Sequence, residues 1–353
     1  MNRLPYLPNL GDLLRMLAIP ASKRLAQNFL LDMNVCRKVI RHCGRLSGCH
    51  VCEIGPGPGG LTRAILEKNV RRLDVIEIDH RFLPMLQLLV DASAGRMRVH
   101  HQNVLEFDFE QMWPKDELAH DWYDVPPKAQ IIGNLPFNIS LPLIIQFLRS
   151  MSSRAGVFTL GRVPLYLTFQ REVAYRLRSP INAFDRSRLA VLAQSLALVD
   201  VVYDMPNTVF TPRPDVDVSL VRLIPRQTPL IQVHFEVVNK FIRHLFHYRR
   251  KQAHKPIATL YPPALAPELT TEIFRRTGHQ PETRSFQVSV EEIGEMCHIY
   301  YEQCCRVPGL FLYNYREPIE MDVLARDPNP LPPAYQFSDV SNKHNIPIPL
   351  SIT

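Results

Sequence analysis

The sequence lacks long hydrophobic runs and lacks repeats. No apolar stretch approaches the roughly 20 residues that a membrane-spanning helix needs, so we expect no membrane span. There is no collagen-like, coiled-coil or other internal repeat, and 46% of the 353 residues are hydrophobic. This composition is typical of a globular protein, and the length suffices for one large domain and one smaller domain.

A disulfide framework is also lacking. The seven cysteines are odd in number and cluster at positions 36 to 52 and 297 to 305, which predicts a reducing compartment. Cys49 and Cys52 have the spacing of a zinc or redox pair, but no second Cys-x-x-Cys follows. Because they lie in an apolar stretch that runs into a glycine loop, we interpret them as small core residues of a strand, and we expect no metal site.

Acidic residues are scarce in the N-terminal segment, residues 1–21. Asp12 is its only acid, whereas Arg3 and Arg15 are basic, and the whole chain has a net charge of +7. Such a basic balance favours a polyanionic partner. The segment is compatible with a weak organelle-targeting sequence and equally with a helix that packs on the following domain, so both interpretations stay open.

Short apolar segments alternate with helical patterns from residue 49 to about 225, within a domain that we place at residues 22–226. Strands are predicted at 49–55, 72–79, 97–104, 129–134, 199–206 and 216–225, and a further strand that runs into a helix is predicted within 163–177. This alternation predicts an α/β domain with a mostly parallel seven-stranded sheet that is covered by helices on both faces. The last two strands are joined by a short Pro-rich turn, and we expect them to be antiparallel.

The remainder of the chain has a different pattern. After a linker at 226–234 the pattern is purely helical to about residue 316, which predicts a small all-helical domain that we place at residues 227–320. Residues 321–353 are rich in proline and lack packing periodicity, and we expect a disordered or extended tail.

The segment EIGPGPGGLT follows the first strand of this domain and opens a helix. Gly55, Gly57 and Gly60 fit the G-x-G-x-x-G pattern of dinucleotide-binding loops. Gly55, Gly57 and Gly59 fit the G-x-G-x-G pattern of enzymes that use S-adenosylmethionine (SAM). Glu77 closes the next strand, where an acid can accept hydrogen bonds from both ribose hydroxyls in either class. The loop therefore predicts an adenosine-containing cofactor and leaves both classes open.

The fourth strand ends on Asn134-Leu135-Pro136-Phe137, where a dehydrogenase would need a His, Lys or Tyr as its acid-base group. These four residues suit methyl transfer to the exocyclic amine of a base. The Asn134 oxygen and the backbone carbonyl of Leu135 or Pro136 can accept the two amine hydrogens, and Phe137 offers a stacking face. Because such catalysis needs orientation and electrostatics rather than a strong base, the combination with the glycine loop favours SAM.

Six stretches resemble, in order, the motifs of the ribosomal RNA adenine dimethyltransferase family: KRLAQNFLLD, EIGPGPGGLT, VIEID, GNLPFNIS, LTFQREVAYRL and VFTPRPDVDVSLVRL. The stretches GVFTLGRVPLYLTFQREV, LFHYRRKQAH and GLFLYNYRE are similar to the mitochondrial branch of that family. The resemblance covers roughly residues 22 to 316. It implies a Rossmann-like SAM-dependent methyltransferase fold with a small C-terminal all-helical RNA-binding domain.

The family resemblance also implies a function. The expected enzyme would dimethylate, at N6, two adjacent adenines in a hairpin loop near the 3′ end of small-subunit rRNA. It would act in the mitochondrial matrix on the small ribosomal subunit, support ribosome assembly, and be a monomer. A second name used for this branch, that of a mitochondrial transcription factor, implies an additional or alternative role as a non-catalytic accessory of the mitochondrial transcription machinery. A nicotinamide dehydrogenase is the third and disfavoured hypothesis.

Individual residues take roles through this resemblance. The implied cofactor-binding residues are Gln27, Asn28, Leu30, Gly55, Gly57, Glu77, Asn103 and Asn134. Asn134, Leu135, Pro136 and Phe137 would hold the target adenine. Phe210 would close on the base, although it can equally be a core residue before a Pro-rich turn. At Asn103 the family usually has Asp, and an amide oxygen can still accept a hydrogen bond from the cofactor adenine.

The segment FIRHLFHYRRKQAHK contains no acid. A single helix would place residues 243, 247, 250, 251 and 254 on one basic stripe, opposite an apolar stripe that includes Phe241 and Leu245. Such a stripe is most often a solvated face, but the charge density and the interleaved Tyr248 favour contact with RNA phosphates. The predicted RNA-binding residues are Arg243, Arg249, Arg250 and Lys251.

Overall fold

The computed structural model describes residues 4–16, 25, 27–316 and 324–326. The predicted Pro-rich tail lies almost entirely outside the described residues, as does most of the stretch from residue 17 to residue 26. Within the described part of the chain, no helix is long and apolar enough to cross a membrane.

Nine strands form two sheets within the described ranges. They are β1 (Phe29–Leu30), β2 (His50–Ile54), β3 (Arg72–Glu77), β4 (Met97–His101), β5 (Ala129–Gly133), β6 (Leu165–Gln170), β7 (Ala197–Met205), β8 (Phe210–Thr211) and β9 (Val218–Pro225). The main sheet has the order β4-β3-β2-β5-β6-β9-β7, and β1 pairs with β8 alone. Neighbours from β4 to β6 are parallel, whereas β9 is antiparallel to both β6 and β7. The predicted sheet and its antiparallel final pair are confirmed.

Helices cover both faces of this sheet. Those of the first part of the chain are α1 (Leu10–Met16), α2 (Met33–His42), α3 (Gly60–Leu66), α4 (Leu83–Ala92), α5 (Lys115–Leu118), α6 (Phe137–Ser153), α7 (Arg171–Leu177) and α8 (Arg188–Leu196). One hydrophobic cluster joins α1 to α4 to one face, and a second joins α6 and α8 to the other. The central strands are buried on both sides, which explains why their sequences are apolar without alternation. α8 adds a helix that the sequence pattern did not predict.

The N-terminal segment packs on this layer. Leu10 and Leu13 of α1 are buried, and the Arg63 guanidinium of α3 donates a hydrogen bond to the Pro8 carbonyl at 2.7 Å. The structure therefore shows that residues 4–16 pack on the domain. Cys49 and Cys52 are buried too, the latter within β2, and their interpretation as core residues is confirmed.

The C-terminal part is helical, with α9 (Phe235–Leu245), α10 (His254–Ala258), α11 (Ala266–Thr277) and α12 (Val290–Arg306). The predicted linker at 226–234 is packed rather than free. Ile231 and Val233 are buried, and the Leu230 amide donates to the Ser195 carbonyl of α8 at 2.8 Å. The same hydrophobic cluster continues from the sheet into α9 to α12, because α8 offers these helices an apolar face.

Candidate active site

A cavity opens at the carboxyl ends of β2, β3 and β5, where the chain order of the sheet changes direction. Open α/β sheets bind their ligands at such a switch point. Every residue predicted to bind the cofactor lines this cavity: Gln27, Asn28, Leu30, Gly55, Gly57, Glu77, Asn103 and Asn134. The fold thus brings together positions spread over more than 100 residues of sequence. Their contact with a cofactor stays a prediction.

The glycine loop needs its glycines for conformation and for space. Gly55, Gly57 and Gly59 have φ angles of 66°, 53° and 87°, in the left-handed region that strains other residues. Gly60, the first residue of α3, is required for space rather than for backbone conformation. A Cβ there would lie 2.3 Å from the carbonyl oxygen of Leu30, so only glycine lets β1 lie against the loop.

Glu77 ties the glycine loop to the end of β3. Its Oε2 accepts the Gly57 N–H at 2.9 Å, and its Oε1 accepts the Asp79 N–H at 2.8 Å. Burial raises the pKa of this carboxyl. The Ile78 backbone N–H also bonds to this carboxylate. A carboxylate has about four acceptor positions, so a ribose hydroxyl can still donate to it.

Gln27 is held in place by the residues that follow β3. Its Nε2 donates to Oδ2 of Asp79 at 2.9 Å, and the Arg81 guanidinium donates to the same carboxylate at 2.8 and 2.6 Å. Hydrogen bonds from Arg81, with that of Gln27, lower the pKa of Asp79 to about 2. This network positions the N-terminal side of the cavity.

A second buried acid, Glu53, lies on the cavity wall in the middle of β2. It is 1% exposed, and its Oε2 has no hydrogen-bond partner among the described residues. Burial raises the pKa of Glu53 to about 8, and the nearby charge of Glu77 adds to this effect. With this pKa the Glu53 carboxyl is mostly protonated at neutral pH, and a cationic group placed beside it would favour the charged form. SAM carries two such groups, a sulfonium and an ammonium. The polar groups that line the cavity therefore fit SAM.

Asn103 begins the turn after β4. Its Oδ1 accepts the Leu105 N–H at 3.1 Å and its Nδ2 donates to Glu106 at 2.9 Å. The amide oxygen has a second lone pair, and Asn103 lines the cavity, so it can still accept a hydrogen bond from the adenine amine of a cofactor. The departure from the family's Asp is thus compatible with that contact.

Hydrogen bonds on both sides orient the Asn134 side chain. Its Nδ2 donates to the Asn28 carbonyl at 3.0 Å, and its Oδ1 accepts the Thr168 hydroxyl at 3.1 Å. The Thr168 oxygen in turn accepts the Leu135 N–H at 3.0 Å. Thr168, on β6, therefore sets which way the amide oxygen faces and holds the strand end as well.

Of the two carbonyls that could assist Asn134, one is already used. The Pro136 carbonyl accepts the N–H groups of Ile139 and Ser140, both at 3.2 Å, at the start of α6. Among the residues that the structure describes, no N–H group donates a hydrogen bond to the Leu135 carbonyl. The Leu135 carbonyl is therefore the one left available beside Asn134, and its role as the second acceptor stays a prediction. The Leu135 side chain itself is buried in the core.

The two aromatic residues predicted at the target base differ in exposure. Phe137, the first residue of α6, is half-buried at the strand end. Phe210 lies opposite Leu30 in the β1–β8 pair and is only 4% exposed. Phe210 is thus packed next to the cavity wall but not in its lining, and its closure on a base stays a prediction.

The prediction of one basic stripe on one helix is wrong. α9 ends at Leu245, residues 246 to 250 form turns, and Gln252 makes an isolated β-bridge with Arg284. The chain turns there because Ala253 and Ile257 return to the core, where both are fully buried. The apolar stripe of α9 is confirmed, since Phe241 and its neighbours are buried.

The predicted RNA-binding residues consequently fall into separate places. Arg243 is exposed near the end of α9. Arg249 and Arg250 lie over the ring of Phe184, at 5.2 and 5.5 Å from its centroid, and Lys251 is exposed. Phe184 is itself 60% exposed, so basic and aromatic groups meet at this surface.

The family profile described as ribosomal RNA adenine dimethylase matches residues 20–284, well over half of the chain. The chain belongs to this family. It is 47% identical to "Dimethyladenosine transferase 1, mitochondrial" of Caenorhabditis elegans over 338 residues, 94% of this chain and 92% of that protein. The Homo sapiens protein of the same name is 41% identical over 318 residues, 90% of this chain and 92% of that one. A solved dimethyladenosine transferase from Plasmodium falciparum has the same fold, with a TM-score of 0.60 at 19% identity, covering 78% of this chain and 96% of that one.

Sequence reasoning missed three residues of this rRNA adenine dimethylase site: Glu53, Asp79 and Thr168. Glu53 and Asp79 stand in the quoted stretches EIGPGPGGLT and VIEID, where an acid within or directly after an apolar strand is a usable signal. Thr168 gave no such signal, because a threonine is an ordinary strand residue. Its role depends on the pairing of β6 beside β5.

Proposed function

We propose that this protein uses SAM to dimethylate, at N6, two adjacent adenines in a hairpin loop near the 3′ end of the mitochondrial small-subunit rRNA, and so supports ribosome assembly. Family membership and the mitochondrial dimethyladenosine transferases among its relatives support this function and this location. One observation carries the chemistry. The Asn134 amide is fixed at the cavity, with its oxygen oriented by Thr168, beside the unused carbonyl of Leu135.

The cofactor cavity would hold SAM through groups of matching chemistry. Glu77 offers acceptors for ribose hydroxyls, Asn103 an acceptor for the adenine amine, and the glycine loop a close approach of backbone. Glu53 adds a carboxyl that complements a positive charge. SAM supplies the methyl group, activated by the sulfonium, and the chain supplies binding and orientation.

The target adenine would be held at the end of β5. An exocyclic amine is a weak nucleophile because its lone pair is delocalised into the ring. Acceptance of its two hydrogens by Asn134 Oδ1 and the Leu135 carbonyl favours a more tetrahedral nitrogen and aims the lone pair at the methyl group. Phe137 offers a face for the base to stack on. No strong base is required, since the amine becomes acidic once it is methylated and charged.

Single-turnover transfer of a labelled methyl group from SAM to the rRNA hairpin tests this function. Asn134→Ala should lower the rate by at least ~10²-fold, the size usual for a lost preorganised electrostatic contact, while SAM binding is reduced but detectable. Wild-type rates in that variant would refute the mechanism.

Thr168 provides a matched pair of variants for the same assay. Thr168→Val removes the hydroxyl that orients Asn134, and Thr168→Ser keeps it. The Val variant should therefore be slower than the Ser variant, although both change a buried side chain. Equal rates would show that the hydroxyl does not position the amide.

Two other predictions lack a specific observation in their favour. The transcription accessory role and the monomeric state both stay predictions from the sequence. Nicotinamide chemistry is disfavoured because the rRNA adenine dimethylase family accounts for the glycine loop and for Asn134 together.

A further inference from the structure

A second cavity lies in the helical part of the chain, apart from the cofactor site. It is lined by Arg243, His244, His247, Asn314, Tyr315 and Arg316. The first three come from α9 and the turn after it, and the others follow α12. Its volume of about 160 Å³ exceeds that of a single water several-fold, so a phosphate-sized anion fits.

The charged side chains at this cavity are basic. Neither Arg243 nor Arg316 has a carboxylate partner in the part of the chain that the structure describes. The Arg316 guanidinium donates instead to the Tyr315 hydroxyl at 3.1 Å. Arg243, His247 and Arg316 are all exposed, so a ligand can reach them.

Further basic side chains lie beneath the exposed residues of this cavity. Burial, together with the positive charges of Lys240, Arg243, His247 and Arg316, lowers the pKa of His244 to about 3. Lys240 is buried and donates to the Tyr313 carbonyl at 2.9 Å. Several like charges therefore converge on one cavity.

Such convergence is unfavourable unless an anion offsets it. Guanidinium groups present planar donor pairs that match phosphate oxygens, and Tyr315 places an aromatic ring beside them, 5.6 Å from the Arg316 guanidinium carbon. We infer that this cavity binds a backbone phosphate of the RNA substrate, with Arg243 and Arg316 as its main contacts. This inference rests on the proposed function for the identity of the RNA.

The test is binding of the rRNA hairpin across a salt series, with methyl transfer measured in parallel. The double variant Arg243→Gln/Arg316→Gln should bind the hairpin at least tenfold more weakly at low salt. Its log–log salt slope should fall by about 1, because the two arginines contact the same phosphate and one phosphate loses its counter-charge. SAM affinity should equal that of the wild type, because the cofactor cavity is built from other residues.

Two control variants separate the loss of phosphate contact from a general loss of positive charge. Arg243→Lys/Arg316→Lys keeps the charge and should keep most of the slope, so an equal loss in both double variants would overturn the site. Arg276→Gln removes a charge from the same helical region, where Arg276 is already paired with Glu272 and Glu302, and it should leave the slope unchanged. A comparable loss there would attribute the effect to net charge and also overturn the site.

The two proposals fail in different ways. Unchanged hairpin affinity and slope in the Gln double variant would refute the phosphate site, even if methyl transfer by the wild type is normal. Absence of methyl transfer by the wild type, together with weakened hairpin binding by the variant, would refute the proposed function and leave the phosphate site standing.

Discussion

Replacement of Glu53 by Gln should change how the stability of the protein depends on pH. The two side chains have nearly the same shape, and Glu53 is 1% exposed. Burial raises the pKa of Glu53 from 4.5 to about 8 in the folded protein. Between these two values the unfolded chain releases a proton that the folded protein retains. Stability contributed by protonated Glu53 is thus full below pH 4.5 and is lost as the pH rises towards 8.

The two pKa values of Glu53 set the size of the effect. At ~1.36 kcal/mol per pKa unit, the whole difference corresponds to about 5 kcal/mol of unfolding free energy. Linkage places about 3.5 kcal/mol of this loss between pH 5 and pH 8. Glu53→Gln cannot release that proton, so its stability relative to the wild type should rise by this amount over the same interval.

Denaturant unfolding of the SAM-free protein at several pH values measures the difference. Other titrating groups affect both proteins, so subtraction of the two curves isolates Glu53. Glu268→Gln, which replaces an exposed acid of α11, is the matched control for the loss of one carboxyl group. A constant difference between Glu53→Gln and the wild type from pH 5 to pH 8 would refute the reasoning.

Three further predictions concern the loop, the cofactor and the RNA. Gly60→Ala should lower the unfolding free energy by about 1–3 kcal/mol, the usual effect of an overpacked site, because its Cβ would collide with the Leu30 carbonyl; an unchanged thermal midpoint would contradict this. Asn103→Ala should weaken SAM binding by about 1 kcal/mol, the worth of one hydrogen bond, whereas Asn103→Asp should retain or tighten it; calorimetric titration in which Ala binds as well as Asn would exclude the contact. Changing residues 249–251 to Glu should weaken hairpin binding and flatten its salt dependence with SAM affinity retained; filter binding that is unchanged at every salt concentration would assign these residues to a solvated face.

The sequence by itself determined the order along the chain of the seven strands of the main sheet, because apolar spacing and the placing of glycine and proline act over neighbouring residues. It also located the ends of β2, β3 and β5, where the glycine loop, Glu77 and Asn134 stand. In an α/β sheet, parallel strands end at one edge, so local patterns sufficed to predict that these groups meet there.

Contacts between distant segments were decided only by the tertiary structure. α9 ends at Leu245 because the chain beyond it returns Ala253 to the core. The helical periodicity of the sequence does not reveal this long-range packing. The orientation of Asn134 depends on Thr168 from a neighbouring strand, and the cation cluster needs Arg243 and Arg316 to approach across 73 positions of chain. Such pairings follow from how the layers pack, since the free energy that brings these groups together comes from the burial of other side chains rather than from their own attraction.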